Sequence, residues 1–283
     1  MIRLAALDMD GTLLNPEGRI TERTARTLKE FQNSGGELLI CTGRSYADAV
    51  EPLEEWGLRA AAACMNGAAL YSRQGELLMH RPLEYAQTAW ILECCKGLPL
   101  LFDFMTDQGS VTINTEADLR RVFAGGMRFP IAAYSLENIR KKFRVVAPEE
   151  LFSQGLTFYK ISLIHADPGI LSEVEQRIKK RAGLSVASSD PYNRELTHGE
   201  AKKGNALAIY AAMKGIGLHE AMAVGDSEND RSMLTLDLKY TVAMGNAMES
   251  IKKTARCCTR TNGEDGAAYA LENLALYRLA AVS

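Results

Sequence analysis

Four short stretches of this 283-residue sequence put reactive side chains at the ends of apolar runs. Ile2 to Leu7 is apolar apart from Arg3, long enough for one buried strand, and runs directly into Asp8-Met9-Asp10-Gly11-Thr12. Glu37 to Thr42 ends on Thr42-Gly43-Arg44, and Ala221 to Val224 ends on Gly225-Asp226-Ser227-Glu228-Asn229-Asp230. Lys202-Lys203-Gly204 opens a helix. Two carboxylates as close as Asp8 and Asp10 repel one another unless a cation sits between them, and Mg²⁺ prefers such oxygen ligands. A solvated acidic turn is the bland alternative. A calcium loop is another, but Thr12 and Leu13 stand where its third acid and glycine belong, and Arg19 where its final Glu belongs. A carboxylate, a hydroxyl, an ammonium and a second acid gathered around a metal suit phosphoryl transfer.

The elements that must bring these groups together follow from periodicity. Thr21 to Asn33 carries Leu28 and Phe31 among charges and reads as a surface helix closed by Ser34-Gly35-Gly36. Ser45-x-x-Asp48 is a capping box for a helix to about Trp56. Ala60 to Met65 is another short apolar run, and Asn66-Gly67 reads as a hairpin turn into Ala68 to Tyr71. Strand and helix alternating in this way predict a parallel sheet. In open α/β sheets ligands lie beyond the carboxyl ends of the strands, where Asp8, Thr42 and Asp226 would fall. From about Pro82 the texture changes to an α+β pattern without repeats or acid-tipped strands, and the opening pattern resumes near Lys202. The predicted architecture is a Rossmann-like, doubly wound α/β core made of residues 1–81 and 190–283, interrupted by an inserted α+β domain at 82–189.

Taken together, the four stretches resemble the haloacid dehalogenase superfamily, specifically its Cof-type phosphatases with a large α/β (type IIB) cap. Met244-Gly245-Asn246-Ala247 and Asn262-Gly263-Glu264-Asp265-Gly266 resemble that subfamily's ending. The resemblance implies that Asp8 is a nucleophile forming an aspartyl-phosphate. It implies that Asp10 protonates the leaving oxygen and then activates water. Mg²⁺ would be held by the Asp8 and Asp226 carboxylates and the Asp10 backbone carbonyl. The Thr42 hydroxyl, the Gly43 and Met9 N–H groups and Asn229 would bind phosphate, with the Met9 side chain left to packing. Lys203, directly before Gly204, would orient the nucleophile and bind the transferred group, with Lys202 facing solvent because helix neighbours point about 100° apart. Asp230 would order the loop around Asp226, a water-mediated metal role remaining open.

Composition sets the outer limits. With 47% hydrophobic and 24% charged residues and a formal net charge of -2, the chain has no electrostatic case for nucleic acid. No apolar run is long enough to span a membrane. No basic stretch leads into a long apolar core at the start, so no signal peptide is expected. Cys41, Cys64, Cys94, Cys95, Cys257 and Cys258 lack C-x-x-C spacing and read as buried, reduced thiols, which fits a cytoplasmic protein. His80, His165, His198 and His219 are scattered without metal-ligand spacing. Arg121, Arg128 and Arg194 are cationic candidates in the insertion, with surface exposure the simpler reading. The expected activity is Mg²⁺-dependent hydrolysis of small phosphate monoesters such as sugar phosphates, nucleotides or cofactor phosphates. A phosphomutase sharing the nucleophile is one alternative. A non-catalytic phosphate sensor is the other, though such a protein should have lost Asp8 or Asp10.

Overall fold

The N-terminal apolar run forms β1 (Leu4–Leu7), and every residue of it is buried. The computed structural model describes residues 1–124, 136–181, 183–189 and 191–276. The chain divides into two units, one comprising Met1–His80 and the chain from Ala201 onward, the other Arg81–Glu200.

In the first unit β1 is followed by α1 (Glu22–Asn33), β2 (Glu37–Cys41), α2 (Tyr46–Glu54), β3 (Ala61–Cys64), β4 (Ala69–Tyr71) and β5 (Leu77–His80). The Thr21 side chain accepts from the Thr24 N–H and caps α1, whose buried face carries Ala25, Leu28 and Phe31. Full burial of Leu28 and Phe31 contributes roughly 1.5–3 kcal/mol apiece. Ser45 caps α2 by accepting from the Asp48 N–H, as the capping-box spacing predicts. The second unit follows with α3 (Tyr85–Cys95), β6 (Leu101–Thr106), β7 (Gly109–Thr112), α4 (Glu116–Ala124), α5 (Leu136–Lys142), β8 (Arg144–Val145), β9 (Phe158–Ile164), α6 (Pro168–Ile178), β10 (Leu184–Ala187) and β11 (Asn193–His198). The chain then returns to the first unit through α7 (Lys203–Met213), β12 (Ala221–Gly225), α8 (Arg231–Leu234), β13 (Tyr240–Ala243), α9 (Glu249–Lys252), β14 (Cys257–Cys258) and α10 (Gly266–Leu271). A helix is expected from Gly266 to about Leu279; α10 ends at Leu271, a wider turn covers Glu272–Leu276, and the remainder lies outside the described residues.

The first unit's sheet has the order β14-β13-β12-β1-β2-β3-β4-β5. The pairings from β14 through β3 are parallel, and β4 and β5 are added antiparallel at one edge. Parallel strands buried on both faces read as continuous apolar runs, which is why LAAL, LLIC and AMAVG stand out in the sequence. From β1 the chain winds one way through β2 and β3. From β12 it winds the other way through β13 and β14. The reversal therefore falls between β1 and β12, the topological switch point at which such sheets bind ligands.

The second unit has its own six-stranded sheet, β10-β11-β9-β6-β7-β8, antiparallel except for the β7–β8 pair. Its core gathers Ile91 of α3, Phe104 of β6, Phe158, Ile161 and Leu163 of β9, Val174 and Ile178 of α6, and Leu196 of β11. The insertion begins within a residue of the expected position but extends to Glu200, not to 189. The reason is β11, whose Asn193–Thr197 pairs antiparallel with β9 and so belongs to the inserted sheet. A buried ion pair ties these two strands, Lys160 Nζ lying 3.0 Å from Glu195 Oε1.

Candidate active site

The site forms where β1 and β12 leave the sheet side by side. Leu7 is in register with Val224, and the Asp8 N–H donates to the Val224 carbonyl at 3.1 Å. Asp8 and Asp226 thus emerge on neighbouring strands at the switch point. Beyond Asp8 the chain makes a tight turn, Met9–Leu13, in which Asp10 is extended and Gly11 takes φ +78°. Glycine is required at position 11 twice over. An L-residue is strained at that φ, and a Cβ there would lie 2.5 Å from Asp226 Oδ2. Thr12 closes the arrangement, its hydroxyl donating to Asp226 Oδ1 at 2.9 Å.

Lys203 is the first residue of α7 and fully buried, whereas Lys202 is exposed. Gly204 lets α7 come close to α8: a Cβ there would meet the Ser232 carbonyl oxygen at 2.1 Å. The Lys203 ammonium lies 2.7 Å from both Asp8 Oδ1 and Asp230 Oδ1. Asp230 uses its other oxygen to accept from the Asp226 and Ser227 N–H groups at 2.9 and 3.0 Å. Its carboxylate is therefore engaged on both oxygens, and its part is to shape the loop that presents Asp226.

The electrostatics follow from burial. Asp8 is held well above the usual carboxylate range, first by burial and then by the Asp230 charge, against the lowering pull of Lys203. Asp226 is pushed up to about 6, again by burial first and Asp230 second, with Thr12 working the other way. Burial would lower the Lys203 ammonium, but the Asp230 and Asp8 carboxylates outweigh it and hold the lysine charged. Oxygen atoms of Asp8, Asp226 and Asp230 lie within 4.8 Å of one another. Three acids facing one ammonium leave negative charge in a dry site, and a hard divalent cation fits such an all-oxygen donor set.

The other expected residues lie on the turns that follow β1, β2 and β12. Thr42 follows β2, is fully buried, and its hydroxyl accepts from the Arg44 N–H at 3.1 Å. Gly43 continues the same turn, and the Met9 side chain is packed out of solvent. Asn229 donates through Nδ2 to Asn66 Oδ1 at 3.3 Å and accepts from the Ser227 hydroxyl at 2.8 Å. Asp10 stands apart from the metal-type cluster. Its carboxylate turns to Arg44, which donates from Nε to Oδ2 at 2.8 Å and from Nη2 to Oδ1 at 2.6 Å.

Five residues to which sequence reasoning gives no role also lie here: Thr12, Arg44, Asn66, Asn246 and Asn262. A lone cation between a strand end and a helix cap is the visible signal for Arg44. Asn66 lies in the turn that joins antiparallel β3 and β4, buried at φ +58°, where its side-chain oxygen accepts from Asn229. Asn246 donates to the Gly11 carbonyl at 2.8 Å and accepts from the Asn262 N–H, while Asn262 donates to the Leu14 carbonyl at 2.9 Å. The two late asparagine motifs thus brace the Met9–Leu13 turn.

Elsewhere, Arg194 is paired with Glu175 at 2.5 Å, Arg121 lies 3.9 Å from Asp118, and Arg128 lies outside the described residues. All six cysteines are free, but the expectation that all are buried is corrected at β14, an edge strand that leaves Cys258 exposed. No helix among the described residues is long and apolar enough to cross a membrane.

Known proteins resemble this chain along most of its length. Residues 5–271 match the family model of haloacid dehalogenase-like hydrolases. The phosphatase YwpJ of Bacillus subtilis is 29% identical over 96% of this chain and 100% of its own length. The 5-amino-6-(5-phospho-D-ribitylamino)uracil phosphatase YwtE of the same organism is 25% identical over 96% of this chain and 98% of its own. Among solved structures, a haloacid dehalogenase-like hydrolase from B. subtilis superimposes with a TM-score of 0.84 at 29% identity, covering 96% of this chain and 100% of that one.

Proposed function

The chain belongs to the haloacid dehalogenase-like hydrolases, and on that footing we propose that it is a Mg²⁺-dependent phosphatase of small organic phosphate monoesters. The observation that supports this most directly is the buried Lys203 ammonium against Asp8 at the switch point, with Asp226 on the neighbouring strand. Those groups would orient a carboxylate nucleophile and offset charge where Asp8 and Lys203 are buried.

In the first half-reaction a carboxylate oxygen of Asp8 attacks phosphorus in line. The bond from phosphorus to the leaving oxygen breaks, and Asp10 gives that oxygen a proton. In the second half-reaction Asp10 takes a proton from water, which attacks phosphorus. The Asp8–phosphorus bond breaks and inorganic phosphate departs. Lys203 fixes the Asp8 carboxylate and draws charge from the transferred group. The Thr42 hydroxyl, the Gly43 and Met9 N–H groups and Asn229 would take the remaining phosphate oxygens. Asp8, Asp226 and the Asp10 carbonyl would hold Mg²⁺, and Asp230 would keep Asp226 in place. When bound, the ion offsets the repulsion between an anionic nucleophile and an anionic phosphate.

Relatives named as phosphatases along nearly their whole length support hydrolysis as the outcome. The inserted unit, Arg81–Glu200, is the part to which we assign choice of leaving group. The test is phosphate release from a panel of sugar phosphates, nucleotides and phosphorylated cofactors, with Mg²⁺ and with EDTA. Release that requires the metal supports the reading. No release from any compound, or isomerisation without release, overturns it.

A further inference from the structure

Asp10 differs from every other acid at the site. Its side chain is 62% exposed, and it sits inside the Met9–Leu13 turn, directly before Gly11. Among the hydrogen bonds of the described residues, its carboxylate is held by Arg44 alone, through two parallel contacts of 2.8 and 2.6 Å. A single exposed ion pair fixes little, but a planar fork on a carboxylate specifies direction as well as charge.

Arg44 is itself well anchored. Its N–H donates to the Thr42 hydroxyl at 3.1 Å, and its carbonyl accepts from the Met65 N–H at 2.9 Å. Its third guanidinium contact runs from Nη1 to the Asp48 carbonyl of α2 at 3.2 Å. The guanidinium is therefore fixed to the Thr42 turn and to α2. Through it, an exposed aspartate is tied to the turn that would seat the phosphate.

We infer that Arg44 is the positioning residue for Asp10, aligning its carboxyl group with the leaving oxygen and then with the attacking water. This rests on the phosphatase reading. Arg44 forms no bond to the reacting atoms in this account. The proton passes from Asp10 to the leaving oxygen and returns to Asp10 from water, while the fork holds the carboxylate in one orientation throughout. A lysine cannot substitute, since a single ammonium lacks the fork.

The consequence is a dependence on leaving group. Expelling an alkoxide requires a proton, whereas p-nitrophenolate departs without one. Correctly placed general acids contribute on the order of 10²–10⁴ in rate. Arg44→Ala and Arg44→Lys should therefore lower kcat on glycerol 2-phosphate by about 100-fold more than on p-nitrophenyl phosphate, with KM for the two substrates moving in parallel. In an Asp10→Asn background, adding Arg44→Ala should leave the ratio of the two rates where Asp10→Asn alone puts it. If Arg44→Ala alone folds poorly, Arg44→Lys keeps the stem and charge and still removes the fork.

Equal losses on the two substrates would overturn the inference, as would a further change in the ratio once Asp10 is gone. A wild-type protein that releases phosphate from neither of these substrates nor from any compound of the panel above would instead overturn the phosphatase reading on which it rests.

Discussion

Lys203 and Asp230 meet at 2.7 Å with both side chains fully shut off from solvent, and the same ammonium reaches Asp8 at the same distance. One buried cation thus joins the residue expected to react with the residue that shapes the Asp226 loop. Removing it leaves three acids facing one another in a dry pocket. Breaking a buried pair by deleting one partner costs about 3–5 kcal/mol. Lys203→Met should therefore lower the unfolding free energy of the metal-free protein by that order, read as a lower urea midpoint at unchanged slope, and its phosphatase rate should fall as well. A variant with unchanged midpoint would show that the pair contributes nothing net to folding.

The raised carboxyl groups make a signed statement about pH. Asp226 is moved from 3.8 up to about 6, chiefly by burial and next by the Asp230 charge, and Asp8 is also raised. A carboxyl with a higher value in the folded state holds its proton longer when folded. Its contribution is fully present below the unfolded value and is lost as pH rises through about 6. In EDTA, the Tm of wild type minus that of Asp226→Asn should therefore decline between pH 5 and pH 7, isolating this group from the other acids. A cation requires the deprotonated forms, so Mg²⁺ should raise Tm more at pH 7.5 than at pH 5. A rise independent of pH would contradict the assignment of Asp226 to the metal.

Gly11 and Gly18 form a matched pair of tests. Both have positive φ, +78° and +76°, but a Cβ at Gly11 meets Asp226 at 2.5 Å while Gly18 has open space around it. Gly18→Ala should cost only the left-handed backbone penalty, about 1–2 kcal/mol. Gly11→Ala should cost more and weaken Mg²⁺ binding, measured by calorimetry, because Asp226 must move. Equal effects of the two on metal affinity would mean that the close approach is unimportant.

Much of the core was legible because buried parallel strands are written as unbroken apolar runs, and each relevant run stops at a functional residue: Leu7 before Asp8, Cys41 before Thr42, Gly225 before Asp226. What was missed carries no such signature. The edge strand β5 is mostly exposed and β8 has only two residues, so neither shows a period. Arg194 to Thr197 is legible as a strand, but the polar sequence of β11, NRELTH, does not show which sheet it joins, because its buried Glu195 is paired with Lys160, thirty-five positions earlier. The Arg44–Asp10 fork and the Asn66–Asn229 contact join residues 34 and 163 positions apart, and only the folded chain brings them together.

Phosphorylation of Asp8 during turnover is the step on which the proposed function turns. The most direct measurement is mass spectrometry of Asp10→Asn protein, quenched in acid during turnover of p-nitrophenyl phosphate with Mg²⁺. Slowed hydrolysis should let the intermediate accumulate, and the peptide containing Asp8 should carry one added phosphoryl group that is absent in EDTA and in an added Asp8→Asn variant. Turnover with no phosphorylated peptide, or with the group on another residue, would contradict the account.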